Sequence, residues 1–197
     1  MTDPVVHQLP SDYQQVYHLQ LLEKGKYLLI NLLAFIPLVI SLIVMGLWWG
    51  LVLRVRGSVP GGLGADWPWW FWLIAIFVLI VVIHEGLHGL AIRWAGHKPR
   101  FGMILSKGAF YATADGAYFW RNDFVVIALA PIVVITLMGM LLVWLLPDTA
   151  GYYVALGVVL NAANAIGDLW MTVVVLHFPA SVLVQDEADS IRIFAKP

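Results

Sequence analysis

The chain has 197 residues, of which 61% are hydrophobic and only 12% charged, with a mean hydropathy of +0.86. A soluble domain of this length cannot hide that much apolar surface, because surface shrinks slowly with size, so the composition implies a polytopic membrane protein. A net charge of −1 gives no footprint for nucleic acid, and the absence of cysteine excludes disulfides, a thiol nucleophile and thiolate-held clusters.

Residues 1–26 are mixed and polar, with Asp3, Gln8, Asp12, Gln14, Gln15, Glu23, Lys24 and Lys26. They lack the short apolar core and small-residue cleavage site of a signal peptide, so this segment is expected to be retained. Ser11 or Asp12 offers an N-cap after Leu9-Pro10, which predicts an interfacial helix over about 11–26. Four stretches then suffice to cross about 30 Å of hydrocarbon: about 27–53, 67–94, 124–146 and 151–176. Trp48, Trp49, Trp67, Trp94, Trp120, Trp144, Tyr152 and Tyr153 mark their ends as interfacial anchors. Gly57-Ser58-Val59-Pro60-Gly61-Gly62 and Pro147-Asp148 supply the breaks between them. The expected fold is an all-α membrane protein, one polytopic domain of four transmembrane helices. It adds the interfacial N-terminal helix, a small β-hairpin-like loop between the second and third helices, and a tail over 177–197.

Lys24, Lys26, Arg93, Lys98, Arg100, Lys107, Arg121, Arg192 and Lys196 fall on one side of these spans, against Arg54 and Arg56 on the other. The positive-inside rule therefore predicts that both termini and the middle loop are cytoplasmic.

Within the second span lies His84-Glu85-Gly86-Leu87-His88. On a helix the two histidines sit one turn apart on one face and can reach a single metal. Glu85 projects about 100° away, where it can hold a water at the metal without being a ligand. A charged side chain at this depth costs roughly 2.5–3.5 kcal/mol by insertion scales, so three such residues together point to an intramembrane metalloenzyme. A catalytic zinc site needs a third protein ligand. Besides Glu85, the four spans contain one acid, Asp168. His84 and Asp168 each lie 17 residues after the start of their spans (Trp67 and Gly151), about 26 Å along helices running the same way. Asn161, Asn164 and Asp168 are spaced i, i+3, i+7, which predicts a polar stripe facing the bundle interior. Asn164 could orient the Asp168 carboxylate or a substrate carbonyl, and helix glue is an equal reading for both asparagines. Two histidines and a carboxylate also suit iron or cobalt. His7, His18, His97 and His177 fall in polar or interfacial positions and are read as non-ligands.

On these residues the chain resembles the site-2 protease class of intramembrane zinc metalloproteases, and most closely a prokaryotic family of membrane zincins. The likeness rests on His84-Glu85-Gly86-Leu87-His88, Ala130-Pro131 opening the third span, and Asn164 to Asp168. Leu9-Pro10-Ser11-Asp12-Tyr13 and the tail from Phe178-Pro179 to Asp186 also fit the smaller family. The resemblance implies one Zn2+ held by His84, His88 and Asp168, with Glu85 as the catalytic acid/base. It also implies a prokaryotic plasma-membrane location and a transmembrane or membrane-proximal protein substrate within the lipid bilayer. The chain departs from the class in having no proline between Asn161 and Asp168, Leu169 after the aspartate, and no PDZ-like insertion.

Two other classes compete with a protease. A catalytically silent metal-binding scaffold or assembly factor could hold a transmembrane partner, but it would not need Glu85. A transporter lined by the same polar residues would be expected to show repeat halves, which are absent from this sequence. In the middle loop, Met103-Ile104-Leu105 and Ala109-Phe110-Tyr111-Ala112-Thr113 lean to strand, and Asp115-Gly116 is a hairpin turn signal. Such an edge strand could bind substrate by strand addition or merely cap the bundle. The tail run Ile191-Arg192-Ile193-Phe194 is expected to pair with that hairpin.

Overall fold

The computed structural model describes residues 5–21, 23–58, 68–104, 109–187 and 190–197. Among them, three helices are long and apolar enough to cross a membrane: Leu28–Arg56, Trp69–Trp94 and Arg121–Leu145. A fourth candidate span is broken, with Asp148–Asn164 and Ile166–Leu176 bent by 47°. The elements in chain order are β1 (Gln14–Gln20), α1 (Lys24–Leu33), α2 (Phe35–Arg56), α3 (Trp69–Trp94), β2 (Arg100–Ile104) and β3 (Ala109–Thr113). They continue with β4 (Phe119–Trp120), α4 (Arg121–Leu145), α5 (Asp148–Asn164), α6 (Ile166–Leu176), β5 (Leu183–Asp186) and β6 (Ser190–Ala195). Most of the glycine-rich break predicted after Arg56 lies outside the described residues.

The chain divides into two compact units. Met1–Asn31, Glu85–Pro131 and Gly167–Pro197 form one; Leu32–His84 and Ile132–Ile166 form the other. In the first, an antiparallel sheet is ordered β1-β6-β5-β4, and β2 pairs with β3 separately. The expected all-α fold is thus corrected. The interfacial helix over 11–26 is corrected as well. Ser11 and Asp12 sit in a turn closed by Tyr13 N–H donating to Pro10 O, and Gln14–Gln20 is a strand. The physical reason is a partner at the far end of the chain. β1 runs antiparallel to β6, with Gln14 opposite Ala195 and Gln20 opposite Ser190, and this pairing outweighs the local N-cap signal. Val182, Leu183, Val184, Ile191 and Ile193, in or next to β5 and β6, are fully buried. Tyr13, Leu183 and Phe194 form a core cluster with Val6, Leu9, Tyr118 and Trp120 around it. The strands of the tail pair through β6 with β1 and through β5 with β4 (Phe119 opposite Val184), and the hairpin meets the tail through a side chain instead, Thr113 Oγ1 donating to Asp186 O at 2.9 Å. Tyr13 Oη donates to Ser181 O at 3.0 Å, and Arg121 Nη1 donates to Phe178 O at 2.9 Å.

The hairpin in the middle loop is present, with Arg100 opposite Thr113 and Ile104 opposite Ala109. Residues 105–108, between its two strands, lie outside the described residues. Gly116, with φ 65°, instead makes the turn between β3 and β4.

In the second unit, α2 packs chiefly on α5. α2 is apolar all round, yet only Met45, Val52 and Leu53 are buried, which suits a helix whose outer face meets lipid. Gly139 lets α4 approach α5 closely, since a Cβ there would come within 2.2 Å of Val158 Cγ2. Trp48 Nε1 donates to Met140 O at 2.9 Å. Arg56 closes the C-terminal end of α4 by donating to Leu146 O at 2.8 Å and to Trp144 O, and it pairs with Asp148 at 2.7 Å. Such a fork over the last carbonyls satisfies groups the helix leaves open.

Candidate metal centre

α3 is one unbroken helix of apolar residues, and it carries His84, Glu85 and His88 in consecutive turns. His84 is 2% exposed and His88 8%. Each imidazole has its Nδ1 engaged by an oxygen. His84 Nδ1 lies 2.8 Å from Asn161 Oδ1, and His88 Nδ1 lies 2.9 Å from the Ile127 carbonyl. An oxygen acceptor requires Nδ1 to be the protonated nitrogen, so both lone pairs fall on Nε2. His88 Nε2 is 3.4 Å from Asp168 Oδ1. His84, His88 and Asp168 each offer one ligand atom, and these atoms lie within 4.8 Å of one another.

This donor set fits zinc. Ligands at about 2.0–2.2 Å in tetrahedral array stand roughly 3.3–3.6 Å apart, a range that includes the His88–Asp168 separation of 3.4 Å. Two neutral imidazoles with their outer nitrogens tied to oxygens, plus one carboxylate, are the pattern of a catalytic site rather than of a closed structural one. Glu85, half-buried, follows His84 directly on the same helix.

The comparisons with known proteins agree with this geometry. The model of a family described as "Putative zincin peptidase" matches residues 76–183, more than half of the chain. The chain belongs to this family. The match covers His84, Glu85, His88, Asn161 and Asp168, and the family's zinc is the ion implied for the cluster. A curated protein of Pyrococcus woesei, named "Uncharacterized 24.7 kDa protein in gap 5'region", is 26% identical over 123 residues, 61% of this chain and 54% of its own length. The zincin chain thus spans about half the length of the relative it matches. No solved structure matches it.

Of the residues expected in this zincin site, His84, His88 and Asp168 come together, and Asn161 reaches His84. The continuous polar stripe of Asn161, Asn164 and Asp168 is corrected, because the helix breaks at Ala165 between α5 and α6. Asn164 is the exposed last residue of α5, while Asn161 is fully buried. The Ile127 carbonyl is a contributor that the motif does not announce, since it is a backbone group. Ala130-Pro131 lies well inside α4 rather than at its opening. Of the four other histidines, His97 stacks edge-on against His7 and Phe119, and His177 Nδ1 faces Val173 O. The β2–β3 hairpin touches α3 beside the motif, where the Phe101 ring lies over Gly89. A Cβ at Gly89 would stand 2.3 Å from Phe101 Cζ.

Proposed function

We propose that this zincin is a site-2-protease-like intramembrane zinc metallopeptidase that hydrolyses peptide bonds of membrane-embedded or membrane-proximal proteins. The observation that carries the reading is the pair of engaged Nδ1 atoms, which leaves each Nε2 as the lone-pair nitrogen in a cluster whose three ligand atoms, one from each of His84, His88 and Asp168, lie within 4.8 Å of one another. A zinc ion held by His84, His88 and Asp168 would supply Lewis acidity, polarising the scissile carbonyl and making water nucleophilic near neutral pH. Glu85 takes a proton from the attacking water on a carboxylate oxygen and returns it to the leaving nitrogen. Asn161 and the Ile127 carbonyl hold the imidazoles in the tautomer this chemistry needs. Asn164, exposed at the end of α5, would contact substrate. The excess of Lys and Arg beside the termini and the middle loop supports a cytoplasmic position for them. β2 and β3 pair only with each other among the described residues, so each has an open edge that an extended substrate could join.

Metal content of the purified protein tests the reading. About one zinc per chain is expected in wild type, lost in His88→Ala and in Asp168→Ala. Glu85→Gln should retain the metal and lose cleavage. Cleavage at the wild-type rate by that variant would remove Glu85 from the mechanism. A wild type purified without chelators that holds no metal would sink the proposal.

A further inference from the structure

Pro131 stands inside α4, which runs from Arg121 to Leu145. In an α-helix each N–H donates to the carbonyl four residues earlier, and proline has no N–H to donate. Pro131 therefore leaves the Ile127 carbonyl without its helical donor. Its ring also crowds that same carbonyl. In an apolar surrounding such a carbonyl must find a donor within the protein. Here the donor is His88 Nδ1, at 2.9 Å. His88, Ile127 and Pro131 are all buried. His84 is served separately, by the Asn161 side chain.

We propose that Pro131 is a positioning residue of the metal centre: by withholding an amide hydrogen it dedicates the Ile127 carbonyl to His88 Nδ1 and so sets that imidazole's tautomer. The inference rests on the metal reading above. It assigns a proline inside a membrane helix to ligand chemistry rather than to helix shape. Pro131→Ala returns an N–H that competes for the Ile127 carbonyl. A carbonyl can accept two bonds, so the effect is graded rather than total.

The test uses the full chain in detergent with ring-15N-labelled histidine and no metal, followed by zinc competition against a chelator. In wild type, at a pH raised until the imidazole signals show neutral rings, His88 is expected as the Nδ1–H tautomer. In Pro131→Ala its signals should move toward a mixture, with His84 unchanged. Zinc affinity should fall by about tenfold or more, as for other losses of a ligand's supporting hydrogen bond. The metal-free melting temperature should not fall, because alanine favours helix over proline. Pro131→Gly, which also restores the N–H, should lose affinity alike. Unchanged His88 tautomer and unchanged affinity in both variants would overturn the proposal, as would a lowered melting temperature with His84 and His88 disturbed equally. Wild type without zinc affinity would defeat the metal reading, and the tautomer comparison would still decide the role of Pro131.

Discussion

Replacing Asn161 isolates the support of one ligand. Its Oδ1 accepts from His84 Nδ1 at 2.8 Å in a fully buried position, and its Nδ2 has no hydrogen-bond partner among the described residues. Asn161→Ala removes the acceptor that faces a buried imidazole N–H, a loss worth about 1–3 kcal/mol. The ring can escape that cost by moving its proton to Nε2, which withdraws the lone pair from the metal. Zinc binding must then reverse that shift, so the cost the ring escaped reappears in affinity, as a loss of roughly 5- to 150-fold at about 1.4 kcal/mol per factor of ten. Asn161→Asp keeps the acceptor and gives up no Nδ2 bond, and its carboxylate makes His84 a stronger ligand. The expected order of affinity is therefore Asp at or above wild type, with Ala well below. Chelator competition on the purified proteins measures it, with a thermal melt of the metal-free forms as the control for folding. Equal affinity in Ala and wild type, or an equal loss in Ala and Asp, would refute the reasoning.

Two further predictions concern the parts away from the metal. Gly139→Val should destabilise the protein by about 1–3 kcal/mol through overpacking, because its Cβ would meet Val158 at 2.2 Å. Adding Val158→Ala should recover much of the loss in a chemical-denaturation assay, and no recovery would disprove that contact. His97 is held below the ordinary histidine pKa of 6.5 by burial and then by the neighbouring His7. Its unfolded form therefore binds protons more readily, so its contribution to stability is intact above about 6.5 and is lost as pH falls below that value. The melting temperature should fall between pH 8 and 5, and less steeply in His97→Gln; parallel profiles would exclude His97 as a source.

The membrane class, the helical position of the motif and the nearness of Asp168 to it were legible in the residues because each rests on a local rule. Apolar length decides spanning, i and i+4 decide a shared helix face, and the cost of intramembrane charge leaves few acids to consider. The polar stripe failed because i, i+3, i+7 assumes an unbroken helix, and no residue at Ala165 announces a break. Asn161 and Asn164 were indistinguishable by spacing, and folding alone buried the first against His84 and left the second exposed. The N-terminal strand was hidden for a related reason. Gln14–Gln20 becomes a strand only beside Ser190–Ala195, and pairing over that separation leaves no local trace. The amino-acid order thus determined which chemistry the chain carries and in which solvent. The tertiary structure decided which oxygen holds each histidine, because hydrogen-bond partners from separate helices are selected by packing, not by sequence distance.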